Sequence, residues 1–529
     1  MKQQALLSLL VTTGLLLSAC GDSSSGTSTG TNSNTTNSDV TYKERRSTGA
    51  ITRLDADQNS LYQNGMRYDI SQAKLYRDGQ LINDQTAYRV GEITTITGQQ
   101  HLDDKPEGIA ERIDYNTTLQ GVITAPPTDK ILEVLKQAVQ LTNATVLHDV
   151  NSVTALQVGQ VVSISGTPNA SGTLNASSIE LEQTQFTPNV SEQMIQGVIS
   201  QHNAASQSFK LGQLSVNYRS ASLNQAIRDG LAVRVYSQHP LNNGQLQADR
   251  ISLQRDITDF NDDSYNNGIE VELEGFITRF DSPTSFSIGH QAISTGANTR
   301  YEHGSAADLQ LNAAVEVEGY VDAAGVLQTY EIDIRQGQSA DAIKLEGFIS
   351  AVDSATQTID LLGQTLLVDS RSILLDEQSD RKRSIAFSAL RPQDYVEAKA
   401  SALSNGTFRI QKLERETPYD TEDDHSYDRD DDGYDDDRFD HDETGRDGLE
   451  IEGLVSSFDT ATGTMVVLGT TIDTNAQTLF EGQYDQRLTP QAFFAALTPQ
   501  TRVEVEGRLQ SNSNQRLLAY EVSIEEDDD

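Results

Sequence analysis

One phrase recurs six times along this chain, and it constrains the fold more than any other feature. Its fullest form is "LEGFISAVDSATQTIDLLGQTLLVD", over 345–369. The six copies are led by Gly49, Gly121, Gly197, Gly275, Gly347 and Gly453, at intervals of 72, 76, 78, 72 and 106 residues. The last interval contains an acidic insert, and removing it restores the period. A period this long marks one supersecondary unit used repeatedly.

Each copy reads in four parts. A strand passes through the glycine, as in "LEGFITRF" and "IEGLVSSF", and a polar turn follows. A hairpin comes next, as in "LYQNGMRYDI" and "IDLLGQTLLVD". Asn64-Gly65 is a strong two-residue hairpin signal, because both central residues must take positive φ. After a stretch of variable length comes an alternating strand such as "VGQVVSISG" or "VEVEG", then a turn and a closing strand such as "AGVLQTYEIDIRQ". The alternation Val-Glu-Val-Glu predicts one buried and one solvated face.

Five or so strands in about 70 residues predict a small closed barrel, which removes exposed edges. The glycine in the first strand fits a bulge or a bend at a barrel corner. The segment "DKILEVLKQAVQL" (129–141) has helical periodicity, yet it aligns with the hairpin of the fifth copy. A hairpin is therefore expected there, against local propensity.

The whole pattern, "G-[VF]-I-x-x-x-D…LG-x-x-x-x-V-D", then "L-x-x-G-x-x-V-x-V-x-G", then "G-x-L-x-A-x-x-I", is similar to a family of bacterial envelope repeats known as domain of unknown function 5666. Copies two, four, five and six are clearest. Copies one and three depart, with a longer turn in "TITGQQHLDDKPEG" and no closing Gly in "VRVYSQ". The resemblance implies an oligonucleotide/oligosaccharide-binding-like (OB-like) barrel in tandem, often on a lipoprotein. It implies no established activity.

The expected organisation is all-β: repeats at 45–115, 116–183, 190–256, 268–336, 341–416 and 449–526, with an acidic linker at 417–448. Short joints between copies predict a semi-rigid string of barrels. Ahead of them, "MKQQALLSLLVTTGLLLSAC" has a basic start and an apolar stretch of signal-peptide length (1–19). Leu17-Ser18-Ala19-Cys20 resembles the bacterial lipobox. The resemblance implies cleavage before Cys20 and its acylation, with several chains giving a stable anchor. Gly21 after Cys20 favours the outer membrane. Residues 20–44 are Ser/Thr/Gly/Asn-rich and are expected to be a disordered tether, reaching about 25–30 Å.

The chain carries 39 Lys plus Arg against 78 Asp plus Glu, a net charge of −39. Such a polyanion repels phosphate backbones, which excludes nucleic acid as a partner. Between Asp420 and Asp447 lie 15 acidic and three basic residues. Within them Asp428, Asp430, Asp432 and Asp436, with Gly433 at the turn, have the spacing of a calcium loop. Phe439 stands where a bidentate Glu is wanted, and a charged solvated spacer is the alternative.

Catalytic signatures are otherwise absent. The eight His (101, 148, 202, 239, 290, 303, 425, 441) form no metal-binding pair by spacing. Asp281, Asp353 and Asp459 are expected to be turn residues. Tyr68, Tyr218 and Tyr301 are candidates for an aromatic binding face. The sequence thus predicts a non-catalytic, lipid-anchored envelope protein of spacer or binding modules, with a protein or polysaccharide partner unidentified. The alternative is an oligosaccharide- or protein-binding receptor, calcium-modulated through the insert. No other cofactor is expected.

Overall fold

The computed structural model describes residues 42–101, 106–128, 130–223, 226–253, 269–335, 342–377, 382–403, 407–417, 449–483, 486–510 and 516–525. Copy five shows the unit most simply. Its first strand is Ile343–Asp353 and its second Thr358–Leu361. The third comes in two pieces, Gln364–Leu367 and Ile373–Asp376. The fourth is Tyr395–Ala402 and the fifth Phe408–Glu416. The first pairs with the second and the second with the third, antiparallel. The third lies parallel to the fifth, and the fifth and first flank the fourth, antiparallel. The ring therefore closes in the order 1-2-3-5-4-1, the five-stranded Greek-key barrel of the OB fold. The same order recurs in the other five copies, departing copies one and three included.

The segment at 129–141 is a hairpin, as its alignment predicts: Ile131–Val134 pairs with Gln137–Gln140. Its turn places Leu135 at φ 49° and Lys136 at φ 62°. Asn64-Gly65, Leu362-Gly363 and Leu468-Gly469 make the same turn with glycine second. Leu132, Val134 and Val139 are buried in the barrel of copy two while Ile131 is exposed. That period of two is imposed by the barrel, which overrides the helical propensity of the isolated segment.

The recurring glycine is not the bulge itself. The register with the second strand shifts two or more residues later, between Ile51 and Arg53, Ile277 and Arg279, Ile349 and Ala351, and Val455 and Ser457. The glycine is where the hairpin packs against the first strand. A Cβ on Gly121 would stand 2.5 Å from Leu135 Cγ, and one on Gly453 2.9 Å from Leu468 Cγ.

The corner itself is a residue two past the glycine, buried in every copy: Ile51, Ile123, Ile199, Ile277, Ile349 and Val455. Its N–H and C=O are both held by the turn before the fourth strand. In copy five, Ile349 N donates to Asp394 O at 2.9 Å and its carbonyl accepts from Gln393 N at 2.8 Å. The donors to that carbonyl are Gly91, Gly159, Gly230, Asn312, Gln393 and Gln500, all at positive φ. The "G-x-x-V-x-V" pattern thus marks the bond that bends the first strand.

Because the first strand bends, its two halves have different neighbours. The second half pairs with the second strand, the first half with the fourth strand, and one edge of that first half is left over. Each copy closes this edge on another copy. Arg45–Thr48 runs parallel to Glu270–Leu273, joining copies one and four. Leu119–Gln120 pairs antiparallel with Met194–Ile195, joining two and three, and Lys344–Glu346 with Glu450–Glu452, joining five and six.

Copies two and three share one apolar core, as do five and six. A small cluster of Val90, Val146, Ile373 and Leu375 joins copies one, two and five. Arg371 of copy five also pairs with Asp333 of copy four. These contacts replace the expected string of barrels with a set of pairs packed on one another, and neighbours in space need not be neighbours in sequence.

Gly121 and Gly197 hold the same place in paired copies but meet different surroundings, since the nearest atom to a Cβ on Gly197 is Leu211 Cδ2 at 3.7 Å. Gly121→Ala is expected to lower stability by about 1–3 kcal/mol through overpacking. Gly197→Ala is expected to stay within about 0.5 kcal/mol. Urea midpoints of the two variants compare them directly, since both alter the same pair of barrels.

Candidate functional site

The alternating Glu rows predict a solvated outer face, and here the structure differs. Glu270, Glu272 and Glu316 are 1–3% exposed. They project from the outer face of copy four, but the edge pairing with copy one covers that face. Burial there requires cations. Arg45, from the first strand of copy one, bonds Glu270 at 2.9 Å and Glu272 at 2.8 Å and lies 3.5 Å from Glu318. Lys43 also pairs with Glu270, and Ser47 Oγ donates to Glu272 at 2.6 Å. Arg335 bridges Glu274 and Glu316. Burial pushes the Glu316 carboxyl well above the usual range, and the nearby Glu272 charge adds to this, against the pull of Arg335 and Arg371.

Glu272, Glu316 and Glu318 present oxygens within 4.8 Å of one another, the only metal-like grouping among the described residues. Guanidinium groups already occupy its neighbourhood, Arg45 on two of the acids and Arg335 on the third. The arrangement reads as a structural seam.

A second seam joins copies five and six. Lys344 reaches Glu450 at 2.7 Å and Glu397 at 3.4 Å, Arg502 reaches Glu452 at 3.1 Å, and Tyr395 donates to Glu346 at 2.8 Å. Burial pushes Glu450 up to about 7 despite Lys344. Burial and the neighbouring Glu450 push Glu504 up to about 8, and burial with Glu346 does the same for Glu416.

A cleft of about 790 Å³ opens where copies one, two and five meet. Arg53, Tyr88 and Arg89 line it from copy one, His148 from copy two, and Lys382 and Arg383 from copy five. The volume lies in the range of small-molecule sites, roughly 300–1,000 Å³. Several of its polar groups are committed to the fold. Arg89 pairs with Asp149 at 3.2 Å and Glu180 at 2.7 Å. Lys382 pairs with Glu377 and with Glu414 at 2.9 Å. His148 is bonded through Nε2 to Val90 O, and burial lowers its pKa to about 4, so the ring is neutral.

The residues singled out by sequence do not gather at this cleft. Cys20 and Asp428, Asp430, Asp432 and Asp436 lie outside the described residues. Tyr68 is 1% exposed, inside copy one. Tyr218 is buried in copy three and stacks with His202, whose Nε2 is 2.7 Å from its hydroxyl. Tyr301 packs against the core of copy four. An aromatic face shared by the copies is therefore not formed by these three, because each side chain turns into its own barrel.

Asp353 and Asp459 accept from Ala355 and Ala461 amides at 2.8 Å, as turn residues, whereas Asp281 pairs with Arg279. The seams and the cleft were not singled out from sequence. One signal for the first seam is present: "YKERRSTG" of copy one is basic where "IEVELEG" of copy four is acidic.

Four stretches, 120–180, 274–333, 346–413 and 452–523, match the family model described as "Domain of unknown function (DUF5666)". They are the bodies of copies two, four, five and six. No curated protein matches the sequence. A solved structure titled "drosophila Unr CSD456" aligns with 43% of this chain and 98% of its own at 11% identity, but its TM-score of 0.11 carries no argument.

Two outcomes follow from the seams. Arg45→Met leaves Glu270, Glu272 and Glu318 without their shared cation and is expected to cost about 3–5 kcal/mol near neutral pH. The loss should shrink in acid, where the glutamates protonate, and urea midpoints at two pH values measure it. In the second seam, Glu450, Glu504 and Glu416 have folded pKa values above their ordinary 4.5. Their stabilising contribution is complete below that value and is lost as pH rises through 7–8. Amide exchange in copies five and six should therefore be slower, after correction for intrinsic rates, at about pH 5.5 than at about pH 8.5.

Proposed function

We propose that this chain is a lipid-anchored, non-catalytic protein of the bacterial envelope whose six barrels act as one binding scaffold. The observation that carries the reading is the use of the barrels as a set. Their first-strand edges pair with one another, and a cleft of about 790 Å³ takes its walls from three different copies. A spacer needs only length, whereas packing copies one, two and five around a cleft builds a concave, mixed polar and apolar surface suited to a ligand. The Leu17-Ser18-Ala19-Cys20 stretch supports the anchor, and the Ser/Thr/Gly/Asn-rich composition after it suits a tether that ends at the first strand, which starts at Tyr42 rather than 45.

The cleft favours the receptor form of this reading over a pure spacer, with a polysaccharide or protein as the macromolecular source of the ligand. The outer membrane is the proposed location, from Gly21 after the acylated Cys20.

Membrane fractionation tests the anchor. The natural chain is expected in the membrane pellet, and Cys20→Ala is expected to move most of the protein to the soluble fraction. Retention of Cys20→Ala in the pellet overturns the lipid anchor. Protease shaving of intact cells then reads which side of the membrane the barrels face.

A further inference from the structure

Acid is abundant throughout this protein, yet only two of the four Arg and Lys side chains lining the cleft have acidic partners among the described residues. Arg89 and Lys382 each hold two carboxylates. Arg53 and Arg383 line the same cleft, from copy one and copy five, and neither has an ion pair among the described residues.

Arg53 is the more telling of the two. It is half-buried, its guanidinium lies 3.6 Å over the Tyr62 ring, and its Nε is shielded from solvent with no hydrogen-bond acceptor. Stacking on an aromatic ring fixes the plane of the fork without neutralising it. The hydroxyl of Ser384, next to Arg383, is likewise shielded and has no partner.

Asp55 and Asp57 are the acids that line the cleft. Asp55 accepts from the Gln58 amide at 3.2 Å, and neither forms an ion pair with Arg53 or Arg383 among the described residues. A partly desolvated guanidinium left unpaired is costly, and a fork held in place is the group that receives an oxyanion bidentately. Leu54, Ile70, Leu375 and Ile385 supply an apolar wall beside these cations.

We propose that the cleft between copies one and five binds a small organic oxyanion, held by Arg53 and Arg383 with an apolar face against that wall. Carboxylate, sulfate and phosphate share the chemistry that a guanidinium fork reads, and the arms of the test separate them. This inference deepens the binding-scaffold reading of the same cleft, and it is independent of the lipid anchor.

The test is calorimetric titration of the full chain with four probes: glucuronic acid, glucose 6-sulfate, glucose 6-phosphate and neutral glucose. At least one charged sugar is expected to bind and glucose is not, with affinity falling as salt is raised. Arg53→Gln and Arg383→Gln are each expected to weaken binding about tenfold or more. Arg53→Lys, which keeps charge but loses the fork, is expected to fall between. The exposed Arg219→Gln should leave binding unchanged.

Urea midpoints of the variants separate a loosened contact between copies from a lost ligand group, since only the former moves them. No binding of any charged probe up to about 10 mM, equal binding of glucose, or unchanged binding by both Gln variants overturns the proposal. Fractionation of Cys20→Ala reports on the anchor whichever way the titration falls. A scaffold that instead holds a macromolecule on another face would show no charged-sugar binding while still capturing purified peptidoglycan or capsule in a pull-down.

Discussion

Much in this molecule follows from the bend in the first strand of each barrel. Two hydrogen bonds at its corner residue, to the turn before the fourth strand, let one strand serve two sides of a closed ring. Closure removes most sheet edges, but it cannot remove the one beside the strand's first half. Unpaired N–H and C=O groups along such an edge invite pairing. The six copies close their edges on each other: one with four, two with three, five with six. A repeat built this way is satisfied in pairs, so the six copies make four sheets: one for copies one and four, one for five and six, and two for the pair of two and three.

Pairing has an electrostatic consequence. In copies four, five and six the strands beside the open edge carry alternating glutamates, and joining two barrels takes several of them out of water. Repulsion among buried carboxylates is relieved in two ways. Cations enter the seam, as Arg45 and Lys344 do, and burial raises the proton affinity of several of the acids, as at Glu316, Glu450 and Glu504. A few cations thus organise many acids. They also help select partners. Copy one carries Lys43 and Arg45 on its open edge and lies against the acidic edge of copy four, although copy two is its neighbour along the chain. Charge complementarity of this kind discriminates between otherwise similar barrels, because a like-charged edge in the same place is penalised.

The cleft arises a level above the pairs. It exists because Arg53 of copy one and Arg383 of copy five belong to barrels far apart in sequence that pack together. Copies five and six show how different the same position can be: the stretch before the fourth strand is a short α-helix, Pro490–Ala496, capped by Thr489 and burying Phe493 and Phe494 in copy six, and only a 3-10 turn at Phe387–Ala389 in copy five. Variation between copies therefore sits in connections and outer faces, while the ring of five strands is kept.

The amino-acid sequence by itself determined the unit. The period, the glycine before the corner, the positive-φ pairs such as Asn64-Gly65 and the alternation in "VEVEG" all act over a few residues, so they can be read without knowing what lies across the barrel. The same reasoning placed a hairpin at 131–140 against its helical periodicity, because aligned copies must fill the same place in the ring. It read the outer glutamates as solvated and Tyr68, Tyr218 and Tyr301 as a possible shared face. The first reading fails because whether an outward side chain meets water depends on which barrel lies against it, and the second because each tyrosine turns into the core of its own barrel. Strand pairing between copies is encoded in backbone edges that all six share, and the choice of partner rests on a handful of charges dispersed over more than 200 residues between Arg45 and Glu272. That choice, and with it the seams and the cleft, was decided only when the barrels packed.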